Sequence, residues 1–145
     1  MKVRFSIMAM VVVLCMAVFS GALAQEISLV EIQNFADPMS ESLLKTMNGN
    51  EYSDFSKDFS DEMKQALNEK NYDNKIGYIK EKIGVYIDGS KELIGTKVNN
   101  QDIIVNYKAK FTKENDSVIV TLVFKHKDNK NVISGLWFNS PKLHG

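Results

Sequence analysis

The sequence predicts an α+β domain, with N-terminal helices packed on an antiparallel sheet of about four strands, and three observations carry that prediction. Apolar residues recur at helical spacing through the first half of the chain. They alternate with period two through the second half, and the two patterns do not interleave. Helices grouped ahead of strands give one helical layer on one sheet, not the repeated βαβ units of a parallel sheet.

The first 24 residues stand apart from that domain. Lys2 and Arg4 open a basic start, Ile7 to Phe19 is a thirteen-residue apolar run, and Ala22-Leu23-Ala24 precedes the polar Gln25. This is the pattern of a secretory signal peptide with an A-x-A cleavage site. Retention as an anchor is the alternative, but thirteen apolar residues fall short of the ~20 that a spanning helix needs. Lipidation at Cys15 is disfavoured by Leu14, which stands where a lipoprotein signal has a small residue. The expected organisation is a signal peptide over 1–24 and a single domain over 25–145. The expected location is secreted or extracytoplasmic, periplasm or cell surface, with no stable membrane insertion after cleavage.

Each element of the domain has its own signal. Ile32, Ala36, Met39, Leu43 and Met47 fall on one helical face, interrupted by Pro38. Asp37-Pro38 reads as an N-cap followed by proline at the first helical position, so two segments joined at a kink are expected between about Ile27 and Asn48. Gly49 supplies the stop. Tyr52, Phe55 and Phe59 form a short aromatic stripe, and Ser60 precedes Asp61 and Glu62 as an N-cap precedes an acidic first turn. Tyr72, Ile76, Ile79 and Ile83 mark a longer amphipathic helix closed by Gly84.

Beyond Gly84 the period changes to two. A first strand is expected around Glu92 to Val98, and Ile103, Val105, Tyr107, Ala109 and Phe111 alternate through the next. Val118, Val120, Leu122 and Phe124 repeat the pattern after the turn at Glu114-Asn115-Asp116. Val132 to Phe138 follows the turn Asp128-Asn129-Lys130-Asn131. Short turns between successive strands favour an antiparallel meander.

Several of these pieces together resemble a known family. The run Tyr52-Ser53-Asp54-Phe55-Ser56-Lys57-Asp58-Phe59-Ser60-Asp61-Glu62-Met63-Lys64, the helix-ending Gly84, the strand Tyr107-Lys108-Ala109-Lys110-Phe111 and the closing Ser134-Gly135-Leu136-Trp137-Phe138 resemble the DUF3887 family of exported domains over residues 28 to 140. That family is similar to the NTF2-like superfamily. The resemblance implies three helices on a strongly curved sheet, forming a cone with an apolar pocket. It implies no activity.

Composition narrows the chemistry. Removal of residues 1–24 takes away Cys15, the one cysteine, and Arg4, the one arginine. The mature chain then has no disulfide, thiolate site or cysteine nucleophile. It keeps 16 basic against 18 acidic residues, a net charge of −2 with every base a lysine. A nucleic-acid binder is expected to be basic and to use arginine forks, so composition disfavours that class and no nucleic-acid partner is expected. No cofactor is expected, and two histidines without HxH or HExxH spacing give no metal site.

The candidate residues follow from the faces of the strands. Ile103, Val105, Tyr107, Phe111, Val118, Val120, Leu122 and Phe124 make an apolar face toward the helices, where Tyr107, Phe111 and Phe124 are the candidate ligand-binding residues. The opposite face carries Ile104, Ile119, Val123, Ile133 and Trp137 among Asn106, Lys108, Thr121 and Lys125. Trp137, Ile104, Val123 and Ile133 are therefore the candidate interface for a second copy or another partner. The alternative is a bulge at Gly135 that turns Trp137 into the core.

His126, at a strand end among charges, and the near-terminal His144 read as solvated side chains, and Ser134 lacks a nucleophile elbow. Asn115-Asp116-Ser117 matches an N-glycosylation sequon on a turn. The functional expectation is an exported, non-enzymatic domain that binds a small apolar ligand or a protein partner. The alternatives are an isomerase- or hydratase-type enzyme using Tyr107 with a carboxylate that the sheet positions do not supply, and a homodimerisation module built on the Trp137 face.

Overall fold

The computed structural model describes residues 27–144, so the signal-peptide reading of 1–24 lies outside the described residues. The chain divides into two units, Met1–Ile32 and Gln33–Gly145. Of the first unit the description covers only residues 27–32. There Ser28 and Glu31 form a reciprocal capping box: the Ser28 N–H donates to Glu31 Oε2 at 3.1 Å and the Glu31 N–H to Ser28 Oγ at 3.2 Å.

The described fold is α+β, with helices packed on a four-stranded antiparallel sheet. The helices are α1 (Leu29–Met47), α2 (Tyr52–Phe55), α3 (Asp61–Ala66) and α4 (Glu69–Ile83). The strands β1 (Glu92–Asn99), β2 (Asp102–Ala109), β3 (Val118–Lys127) and β4 (Lys130–Asn139) pair in sequence order as a meander. A 3-10 turn, Pro141–Leu143, closes the chain against α4. No helix among the described residues is long and apolar enough to cross a membrane.

One expectation fails in α1. The helix runs through Pro38 without a second start, so Asp37 is an interior residue and not an N-cap. An internal proline costs about 3 kcal/mol through its missing N–H and its ring. Burial on both sides of it outweighs that cost: Ala36, Ser40, Leu43, Leu44 and Met47 are each at most 3% exposed. Ser40 also donates to the Asp37 carbonyl at 3.0 Å.

The other helix signals are realised locally. Ser60 caps α3 by accepting from the Met63 N–H at 3.1 Å, and Asn68 caps α4 by accepting from Asn71 at 3.1 Å. Gly84 ends α4 at φ 82°, where a Cβ would also lie 2.8 Å from the Lys113 nitrogen. The β3–β4 turn places Asp128 and Asn129 at φ 53° and 62°, the left-handed pair that a two-residue hairpin requires.

The core lies between the helices and one sheet face. Val105, Tyr107, Val120, Leu122 and Phe124 are all at most 1% exposed, and Phe35 of α1 meets Phe124 edge-on at 5.4 Å. Phe111 has left β2, bridges Tyr86 and contacts Phe138 at 6.2 Å. A bulge does occur in β4. Val123 pairs with Gly135 but Phe124 pairs with Ile133, so Ser134 is an extra residue. The bulge reverses the parity of β4 on its two sides. Ile133 therefore sits on the helix-facing side, fully buried, and its expected place on the outer face is corrected. Trp137, opposite Thr121, stays on the outer face and is 58% exposed.

Candidate functional site

Two regions gather the functional side chains, and the first is a polar cluster where α1 meets β2. Asp37 and Glu41 are one helical turn apart and so project from one stripe of α1. The Tyr107 hydroxyl donates to Asp37 Oδ1 at 2.7 Å, and the Tyr86 hydroxyl donates to Glu41 Oε2 at 2.7 Å. Glu41 also accepts from the Gly89 N–H at 3.1 Å and faces the Lys91 ammonium at 3.9 Å. Lys91, only 9% exposed along its side chain, lies 4.4 Å above the Tyr107 ring centre.

Burial is the main reason that both phenols are held well above the ordinary tyrosine range. For Tyr107 a hydrogen bond with Ser40 opposes the shift and the Asp37 carboxylate adds to it, while for Tyr86 the Glu41 carboxylate adds to it. Both tyrosines are therefore proton donors near neutral pH and not bases. Every charged group of the cluster has a partner, so at rest it acts as a clasp between α1, the loop before β1 and β2.

The second region is an apolar groove of about 370 Å³ along β4. Met63, Ala66 and Leu67 line it from α3 and its C-terminal end, Lys75, Ile76 and Ile79 from α4, and Ser134 to Phe138 from the strand. Neighbouring strand residues point to opposite faces, yet both Gly135 and Leu136, and both Trp137 and Phe138, border the groove. It therefore follows the edge of β4 and not either face.

Local structure explains where the groove begins. At Ile133 the edge is occupied: Asp58 accepts from the Ile133 N–H at 2.7 Å, and Ser60 donates its N–H to the Ile133 carbonyl at 2.9 Å. Beyond Ile133, among the described residues, β4 pairs only with β3. The Trp137 ring lies across Gly135, where a Cβ would come within 2.5–2.6 Å of it. Glycine at 135 thus lets the indole lie flat over the strand beside the groove.

Two smaller hollows are polar. One of about 120 Å³ lies among Lys57, Asp61, Lys64, Lys127, Asp128 and Lys130, and one of about 170 Å³ among Asn50, Glu51, Glu69 and Asp73. Beside the first, Glu62 at the start of α3 has its carboxyl held below the usual range by its own backbone N–H and then by Lys127.

The structure separates the residues that the sequence groups together. Tyr107, Phe111 and Phe124 are 1%, 2% and 0% exposed, so at these positions the space between sheet and helices is filled by the core. Ile104 and Val123 stay half-buried on the outer face, in register with each other. Ile133 has left that face, and Trp137 borders the groove. His126 is exposed with Nδ1 3.2 Å from Asn131 Oδ1, and His144 is exposed with Nε2 2.8 Å from Asn139 Oδ1. Asn115 and Ser117 are exposed. Sequence reasoning missed Asp37, Glu41 and Lys91 as one cluster. The available signal was the stripe Asp37, Glu41, Leu44 running beside the apolar one. No family model matches the chain, and no curated protein or solved structure matches it either.

Proposed function

We propose that this chain is an exported, non-enzymatic binding domain of the DUF3887, NTF2-like kind that holds a small apolar ligand in the groove along β4. The groove itself carries the reading. Its volume falls within the ~300–1,000 Å³ usual for ligand sites, and its walls are aliphatic and aromatic with a few polar groups. In this reading the ligand sits at the sheet edge, and Tyr107, Phe111 and Phe124, all buried, belong to the core. Native mass spectrometry of the purified protein with a panel of apolar small molecules tests this. One-to-one adducts that disappear in Ala66→Phe, where a ring fills the groove, support the reading. Identical adducts in both proteins reject it.

A second reading is favoured by the Asp37–Tyr107 pair. A helix-borne carboxylate beside a protonated phenol supplies the acid and base of an isomerase or hydratase, provided Asp37 can exchange Tyr107 for a substrate. This reading expects Asp37→Asn to abolish turnover of an enolisable substrate while leaving the fold intact. If the wild-type chain turns over no such substrate, the cluster is only a clasp.

A further inference from the structure

We infer that the occupant of the β4 groove is an alkyl chain ending in a carboxylate, with Lys75 as the residue that receives the head group. The inference rests on the groove being a ligand site, the reading proposed above. Three observations lead to it.

The first is shape. The open stretch of strand runs from Ser134 to Phe138, and five strand residues span roughly 13 Å, about the length of an extended ten-carbon chain. A site that tracks a strand edge suits a slender chain better than a fused ring system.

The second is the position of charge. Among the described residues that line the groove, Lys75 is the one with a formal charge. Its ammonium lies 3.4 Å from the Ala66 carbonyl, which puts Nζ at the groove beside another lining residue. Lys75 belongs to none of the four ion pairs among the described residues, so its remaining N–H groups are available.

The third is the cost of a neutral occupant. Lys75 is exposed, so its ammonium stays at the mouth of the groove in contact with water, and a neutral head group there leaves that charge without a partner. A carboxylate head returns the missing partner as a charge-assisted hydrogen bond. A cationic head meets repulsion instead.

Trp137 makes the test specific, because it is the only tryptophan of the chain and lines the groove. The purified protein is titrated with decanoate, 1-decanol and decyltrimethylammonium below their micellar concentrations while the indole emission is followed. Decanoate is expected to give a saturable change, with 1-decanol on the order of threefold to fivefold weaker, the scale of a partly exposed ion pair, and the ammonium weakest. Lys75→Gln should bring decanoate down to the affinity of 1-decanol and leave 1-decanol unchanged. Equal binding of decanoate and 1-decanol by the wild-type protein overturns the head-group assignment and leaves the groove reading standing. Indole emission unmoved by all three overturns both.

Discussion

The inner side of β2 and β3 and the edge of β4 both carry large apolar side chains, yet the fold treats them in opposite ways. Tyr107, Leu122 and Phe124 are closed in by helices, and the polar groups beside them are paired off through Asp37, Glu41 and Lys91. Leu136 and Phe138 remain half-buried and Trp137 exposed, because α3 and α4 line the β4 edge without filling the space beside it. Apolar character alone therefore does not distinguish a core from an open groove. What distinguishes them is whether another element reaches the side chain and whether nearby polar groups already have partners.

The sharpest way to break this comparison is to truncate one ring on each side. Phe124→Ala should cost about 3–5 kcal/mol in urea unfolding, the range for an aromatic removed from a packed core. Trp137→Ala should stay within about 0.5 kcal/mol, as befits a surface site. Similar losses at both positions would show that the groove is packed as tightly as the core.

Next in size is the clasp. Tyr107→Phe leaves Asp37 without its donor and should cost about 1–3 kcal/mol by the same measurement. Its pH dependence follows from the raised phenol. The folded form prefers protonated Tyr107 and Tyr86, so their contribution is intact below the unfolded tyrosine value of about 10 and is lost as pH rises through the higher folded values. Midpoints of unfolding should therefore fall in alkaline solution, and fall less in Tyr107→Phe. Parallel alkaline curves for the two proteins would show that Tyr107 contributes nothing to the drop.

The smallest expected effect lies at Gly135. Gly135→Ala should push the indole off the strand and shift Trp137 emission while moving the unfolding midpoint little, since the displaced ring is already exposed. A large loss of stability would mean that the ring is anchored there as part of the core.

The fold was legible because its signals are local. Ser60 before Asp61-Glu62, Gly84 after Ile83 and Asp128-Asn129 between alternating runs each specify their own neighbourhood, and the structure places caps and a turn there. Asp37-Pro38 misled for the same reason. As a local signal it says N-cap, and only the burial of Ser40, Leu43 and Leu44 beyond it carries the helix through. Ile133 was misplaced because a single extra residue, Ser134, changes which side every earlier residue of β4 faces. The groove was invisible for a third reason. Its walls come from α3, α4 and β4, and no spacing within any one of them records the gap between them.

The short pairing of Phe59 with Ile133 has a consequence for how this protein behaves when concentrated. Those residues act as a one-residue fifth strand that blocks the start of the β4 edge, while among the described residues the stretch from Ser134 to Phe138 has no such guard. An open edge is a template on which another chain can add. The kink of the Ser134 bulge and the bulky indole beside it make that edge irregular, and an irregular edge is a poor template for regular strand addition.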